Sequence, residues 1–236
     1  MIIIRLLWKL FLVLFLTALT QLGGVAYILA HFFRRRFQAF CIIYLALSIA
    51  AIWAAPFFGR QPLTCFGAEG LRMQSPLLCV LNRHYVSDDM MVLADKLGEK
   101  FPHVRALDAN FPFVDGFPLL PHLSHDDGDK LDLAFVYDGP PPSPVGYWAF
   151  VDGPSTCPHQ PLSLRWDMTW LQGLWRDSRV DVPRTTELVN WLTAQPAVGK
   201  RFLEPHLVRS GGLSSPKIRF QGCQAGRHDD HIHIQL

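Results

Sequence analysis

Gly226-Arg227-His228-Asp229-Asp230-His231-Ile232-His233-Ile234-Gln235-Leu236 alternates imidazole and isoleucine through its second half. Successive side chains of a β-strand point to opposite faces. The spacing therefore predicts a strand with His231 and His233 on one face and Ile232 and Ile234 in a core. A second stretch lies far upstream, Pro121-His122-Leu123-Ser124-His125-Asp126-Asp127-Gly128-Asp129-Lys130-Leu131-Asp132-Leu133. Together the two hold five of the ten histidines. Leu131 to Tyr137 also reads as a strand, with Asp132 opposite Leu131, Leu133 and Phe135.

Zinc in hydrolytic sites takes three protein ligands and keeps a fourth position open. Neutral imidazole and carboxylate suit it. The pattern His122-Leu123-Ser124-His125, then Asp132, then His228-Asp229-Asp230-His231-Ile232-His233 resembles the zinc peptidases grouped with lysostaphin, the D-Ala-D-Ala metallopeptidases and the Hedgehog signalling domain. Within that group it is most similar to the penicillin-insensitive murein endopeptidases. The segment Arg201-Phe202-Leu203-Glu204-Pro205-His206 adds a weaker likeness, and the resemblance spans roughly residues 80–236. It implies His125, Asp132 and His233 as ligands of Zn2+, His231 as the catalytic histidine, and His122 and His228 as residues lining the site. Relatives grip a substrate carboxylate with a cleft arginine, for which bidentate geometry suits Arg. Arg83 is placed in that role, with a surface arginine as the alternative.

Other readings of these residues are blander. Histidines commonly sit at the surface or hydrogen-bonded in a core, and a histidine-rich terminus can be an engineered tag. Alternation with Asp and Ile argues against a tag. Ser124 lacks the Gly-X-Ser-X-Gly surroundings of a nucleophile elbow. Asp126, Asp127 and Asp129 lack EF-hand spacing and read as solvated loop acids.

The chain has 236 residues, half of them hydrophobic, and a formal net charge of +2. So small a charge gives no footprint for nucleic acid. Of the five cysteines, Cys41 falls in an apolar run; Cys65, Cys79, Cys157 and Cys223 remain, with no Cys-X-X-Cys among them. Two disulfides with three connectivities, or four buried thiols, are open.

Residues 10–33 and 37–58 carry no Asp, Glu, Lys or Arg. About 20 apolar residues cross a bilayer core. Residues 1–60 are thus expected to form a transmembrane helical hairpin, spanning at 10–33 and 37–58 around Arg34-Arg35-Arg36. The Arg triplet favours a cytoplasmic turn with both termini outside. Arg5, Lys9 and the α-amino group pull the other way, and the implied wall substrate decides for the outward arrangement.

Residues 61–236 are expected to form one zinc metallopeptidase-like domain, large enough for its own core. Leu77 to Leu81 reads as a short strand. Ser87-Asp88-Asp89 opens a helix by capping and helix-dipole complementarity, and Pro102 ends it. Residues 138–162 read as a flap or cleft wall, in which Tyr147, Trp148 and Phe150 pack or touch substrate. Residues 164–175 and 186–193 read as helices, and 217–223 as a strand.

The expected fold is α+β: a small antiparallel sheet with flanking helices, preceded by the two-helix transmembrane hairpin. The resemblance implies a membrane-anchored zinc-dependent peptidoglycan peptidase, an endopeptidase cleaving D-alanyl–diaminopimelyl cross-links. Its partners would be a muropeptide substrate and membrane lipid, with no nucleic acid. It would sit in a bacterial inner membrane as a multi-pass protein with the C-terminal domain in the periplasm. A D,D- or L,D-carboxypeptidase, or a non-catalytic zinc-bound wall-recognition domain, is the alternative.

Overall fold

The computed structural model describes residues 2–67, 70–151, 153, 157, 169–176, 178–223 and 226–236. Three helices come first: α1 (Ile2–Thr20), α2 (Gly23–Ala30) and α3 (Arg36–Ala54), the last continuing into a 3-10 turn, Ala55–Phe58. There follow β1 (Gln61–Pro62), β2 (Arg72–Met73), α4 (Pro76–Val80), β3 (Tyr85–Val86), α5 (Asp88–Lys100), β4 (Arg105–Ala106) and β5 (Lys130–Ala134). After a second 3-10 turn, Thr169–Leu174, come α6 (Val182–Ala194), β6 (Lys200–Phe202), α7 (Pro205–Ser210), β7 (Ile218–Arg219) and β8 (His231–Gln235).

The main sheet has six strands in the order β2-β4-β5-β8-β6-β7. Its four central strands pair antiparallel, but β2–β4 and β6–β7 at the edges are parallel. The sheet is therefore mixed rather than purely antiparallel. Each parallel pair is joined by a connection containing a helix, which parallel neighbours require.

Alternation in β5 and β8 builds the core. Leu131, Leu133, Ile232 and Ile234 are fully buried in one apolar cluster with Met90, Leu93 and Leu97 of α5 and Leu188, Val189 and Leu192 of α6. Each such side chain contributes about 1.5–3 kcal/mol when removed from water. Both helices are capped as their sequences demand. Ser87 Oγ accepts from Met90 N at 3.2 Å, and Asp181 Oδ1 accepts from Arg184 N at 2.9 Å. Arg201 is buried and donates to the Leu192 carbonyl at 2.9 Å, near the end of α6, where a cation suits the helix dipole.

Several segments differ from their sequence reading. Residues 77–81 lie in and after α4, not a strand, because Pro76 sits in the first turn, where a helix tolerates it. The strand expected over 217–223 shortens to β7. The helix expected over 164–175 is described only at its end, as the 3-10 turn; residues 164–168 lie outside the described residues. Both disulfides form, Cys65–Cys79 and Cys157–Cys223, leaving Cys41 free on α3.

The N-terminal segment departs most. The apolar run 10–33 is broken at Gln21, which takes a left-handed backbone (φ 63°). Gly23 and Gly24 then let α2 fold back against α1. A Cβ on Gly24 would lie 1.9 Å from Thr17 Oγ1 and 2.7 Å from the Val13 carbonyl oxygen, so only glycine permits this approach. At about 12 Å, α2 is too short to cross a membrane. Among the described residues, the helices long and apolar enough to do so are Ile2–Thr20 and Arg36–Phe58. The second matches the expected 37–58, whereas the first is displaced toward the N-terminus.

Two predictions follow from the packing. A Cβ on Gly98 would lie 2.4 Å from the Leu71 backbone nitrogen and 2.5 Å from the Gly70 carbonyl carbon. Backbone cannot move aside, so the clash outweighs the roughly 1 kcal/mol of helix propensity gained. Gly98→Ala should lose about 1–3 kcal/mol, seen as a lower melting temperature of the detergent-solubilised chain. Burial pushes the His84 imidazole down to about 4 from its ordinary 6.5. The unfolded chain therefore binds this proton first as pH falls, so His84's contribution to stability is complete above pH 6.5 and lost progressively toward pH 4. His84→Gln should flatten the melting temperature's dependence on pH over that window; an unchanged slope would exclude His84 as its source.

Candidate metal centre

The register of β5 on β8 pairs Asp132 with His233 and Ala134 with His231. This single register places one carboxylate and two imidazoles on the face opposite the Leu and Ile side chains. A one-residue slip would reverse the faces. His125 comes from the loop before β5, where Gly128 supplies the positive φ (89°) that lets the chain turn into the strand.

Three ligand-type atoms converge. His125 Nε2 lies 3.1 Å from His233 Nδ1 and 3.2 Å from Asp132 Oδ1, and His233 Nδ1 lies 2.8 Å from the same oxygen. A tetrahedral ion with bonds of about 2.0–2.1 Å sets neighbouring ligand atoms about 3.3 Å apart. The triangle therefore has nearly the edge lengths such an ion imposes. The outer atom of His125 agrees: its Nδ1 donates to the Ala109 carbonyl at 2.7 Å, which leaves Nε2 its lone pair. His233 Nε2 lies 3.2 Å from Gln235 Nε2. Asp132 Oδ2 accepts from the Tyr147 hydroxyl at 2.7 Å, leaving Oδ1 to face the two imidazoles.

A second grouping shares two of these residues, since His122, His125 and Asp132 also bring ligand atoms within 4.8 Å of one another. His122 Nδ1 is 3.2 Å from Asp132 Oδ2 and 3.1 Å from Asp108 Oδ2, so it is held by two carboxylates. The tighter, mutually facing triangle of His125, Asp132 and His233 is the better cradle. Cys65, Cys79 and His84 also cluster, but the two sulfurs are bonded to each other and offer no thiolate.

Lone pairs facing one another inside a protein require a positive charge between them. Burial alone would raise the Asp132 carboxyl, yet the His125, His231 and His122 imidazoles hold it well below the usual carboxylate range. Burial opposes charge on His125, but Asp132 and Asp108 raise its pKa above the ordinary value. Burial pushes His233 down to about 4 despite Asp132. A divalent cation fits the role that protons on the imidazoles otherwise fill.

His231 stands beside this group. Its Nδ1 lies 2.5 Å from Asp230 Oδ1, and its Nε2 lies 3.7 Å from Asp132 Oδ2. Asp132 and Asp230 outweigh burial and lift its pKa to about 9. His228 is buried, with its ring 4.8 Å from that of His231; burial, reinforced by His231 and His233, holds its pKa well below the ordinary value. His122 is the more exposed imidazole of the group, with 24% of its side-chain surface accessible.

Arg83 does not present its guanidinium to the cleft. It is buried, forks onto both oxygens of Asp108, and donates to the Leu120 carbonyl at 2.7 Å. Its effect is indirect: it holds Asp108, which holds His122. Sequence reasoning missed Asp108 and Asp230. Asp108 carried one signal, an acid between Leu107 and Ala109 in an otherwise apolar run. Of the expected cleft wall, Tyr147 bonds Asp132, and Trp148 N donates to Asp230 Oδ2 at 2.7 Å. Phe150 stacks under Arg227, 4.2 Å from ring centroid to guanidinium.

Compared with known proteins, the chain matches no protein-family model and no curated sequence.

His125→Ala, Asp132→Ala and His233→Ala should each abolish retention of a divalent ion by the purified chain, while His122→Ala should keep it. Elemental analysis checks both. Full occupancy in His233→Ala with loss in His122→Ala would transfer the site to the second grouping.

Proposed function

We propose that the chain is a membrane-anchored, zinc-dependent peptidoglycan peptidase, an endopeptidase acting on the D-alanyl–diaminopimelyl cross-links of muropeptides. The observation that carries the reading is the triangle of His125 Nε2, His233 Nδ1 and Asp132 Oδ1, with edges of 2.8–3.2 Å. Two imidazole nitrogens and one carboxylate oxygen suit zinc, which when bound supplies Lewis acidity toward a scissile carbonyl.

The protein's own groups complete the chemistry. Asp230 accepts a hydrogen bond from His231 Nδ1–H, so Nε2 is the nitrogen turned to the site. With its pKa lifted to about 9, His231 holds a proton there to offer a developing oxyanion or leaving amine. Tyr147 restrains the Asp132 carboxylate through its second oxygen, fixing which oxygen faces the ligand set. A pure recognition domain needs the ligands but not a histidine oriented by its own acid; this favours catalysis. The commitment of Arg83 to Asp108 removes it as the grip on a substrate carboxylate, so another group must hold the peptide. Two disulfides suit an oxidising compartment, in keeping with a C-terminal domain in the periplasm of a bacterial inner-membrane protein.

The full chain in detergent, incubated with purified muropeptide dimers, should release monomers, and a chelator should stop the release. His231→Ala should keep its ion and lose about 10²–10⁴-fold in turnover. Release indifferent to chelator, or dimers bound without release, would overturn the assignment.

A further inference from the structure

The sequence reading leaves a charge conflict in the anchor: an Arg34-Arg35-Arg36 turn on one side of the membrane and Arg5 with Lys9 on the other. The structure removes it. Because α2 folds back on α1, Gly24 meets Val13 and Thr17, and the antiparallel run continues away from Gln21. α2 spans about 12 Å and Lys9 lies about 16 Å below Thr20 along α1. Lys9 and the Arg turn thus lie at nearly one level, with Arg5 just beyond. The first acidic residue of the chain is Glu69, so nothing acidic in this segment offsets these charges.

The upper end of the pair is not free. The Asn82 amide donates to the Thr20 carbonyl at 3.4 Å, to Tyr44 Oη at 3.1 Å and to Ser48 Oγ at 3.2 Å. Tyr44 Oη donates to the Val80 carbonyl at 2.5 Å, and Gln21 Oε1 accepts from Phe113 N at 3.1 Å. Tyr44 lies about 12 Å along α3 from Arg36, whereas Arg36–Phe58 extends about 34 Å against a hydrocarbon core of about 30 Å. With the Arg turn at one surface and Phe58 at the other, the contacts of Tyr44 and Ser48 fall inside the bilayer. A bilayer surface drawn at Gln21 instead would sink three unpaired guanidinium groups into hydrocarbon.

We propose that α1 and α2 form a re-entrant pair, that α3 alone crosses, and that the metal-site domain, entering from the side opposite the basic residues, is seated through α4 near the middle of the bilayer, with acyl chains as the partner of that face. Asn82, Tyr44, Ser48 and the Thr20 carbonyl bond one another at the elbow, as hydrocarbon demands, although Gln21 Nε2 and Asn82 Oδ1 find no partner among the described residues. The face α4 offers lipid is apolar: Leu77 is 51% and Val80 58% exposed, the Val80 carbonyl bonds Tyr44 of α3, and Leu45 and Ile49 of α3 are themselves exposed. The positive-inside bias then places the N-terminus and the Arg turn together in the cytoplasm, and the domain outside. This replaces the outward N-terminus expected from sequence. It rests on the reading of these helices as a membrane anchor and not on peptidase activity.

The test is cysteine accessibility in the full chain, expressed in bacteria with Cys41→Ser and both disulfides intact. Leu77→Cys, Val80→Cys, Val92→Cys and Ile3→Cys are treated in spheroplasts with a membrane-impermeant maleimide. Val92 is 54% exposed on α5, on the face carrying Lys96 and Glu99, and should label at once. Positions 77 and 80, as exposed on the protein, should label roughly tenfold slower until detergent is added, because the probe is excluded from hydrocarbon. Position 3 should label only after the membrane is opened. Labelling at 77 and 80 as fast as at 92, or at 3 in intact spheroplasts, would overturn the proposal. Reactivity at 77 and 80 in nanodiscs holding one chain each would show that a second copy, not lipid, covers the face. A chain that fractionates as soluble would instead sink the anchor reading itself.

Discussion

The pairing of Asp132 opposite His233 is the constraint on which the rest of the structure depends. It is a backbone register, secured on its other face by Leu131, Leu133, Ile232 and Ile234 packing against α5 and α6. The same hydrophobic contacts that make the sheet stable therefore set the separation of a carboxylate and an imidazole to the width of a small cation. Core and centre are two sides of one strand pair, and neither can shift without the other.

Around that pair, support is graded. The backbone carbonyl of Ala109 orients His125, and Asp230 orients His231. Tyr147 and the Arg83–Asp108–His122 chain brace the second oxygen of Asp132 and its neighbour. Apart from the half-buried His122, these polar groups are buried, where an unpaired partner is costly, and they satisfy one another.

Much of this was legible in the residues, and the division has a physical basis. Period-two alternation is local, so β8 and the faces of β5 could be read directly, as could the Ser87 cap of α5. What could not be read depended on partners far away in the chain. Arg83 could grip a substrate or an internal acid, and only the fold brings Asp108 to it. Leu77 to Leu81 is apolar enough for a strand; Pro76 and the neighbouring helices decide otherwise. In the N-terminal helices, hydropathy marks apolar length but is blind to a reversal. Gln21 and two glycines turned one expected span into a folded pair, without adding a single charge.

Asn82 and Arg83 are adjacent in sequence, yet one grasps the helical elbow and the other the acid behind His122. The loop bearing His122 and His125 is fastened nearby: Phe113 packs on Phe58 at 5.1 Å, and Arg60 pairs with Asp115. Trimming away the N-terminal helices would therefore remove contacts that hold Asn82 and Phe113, and with them support for the segments that carry Arg83, His122 and His125. A disturbance of the helical elbow thus reaches the acid behind His122 across a single peptide bond.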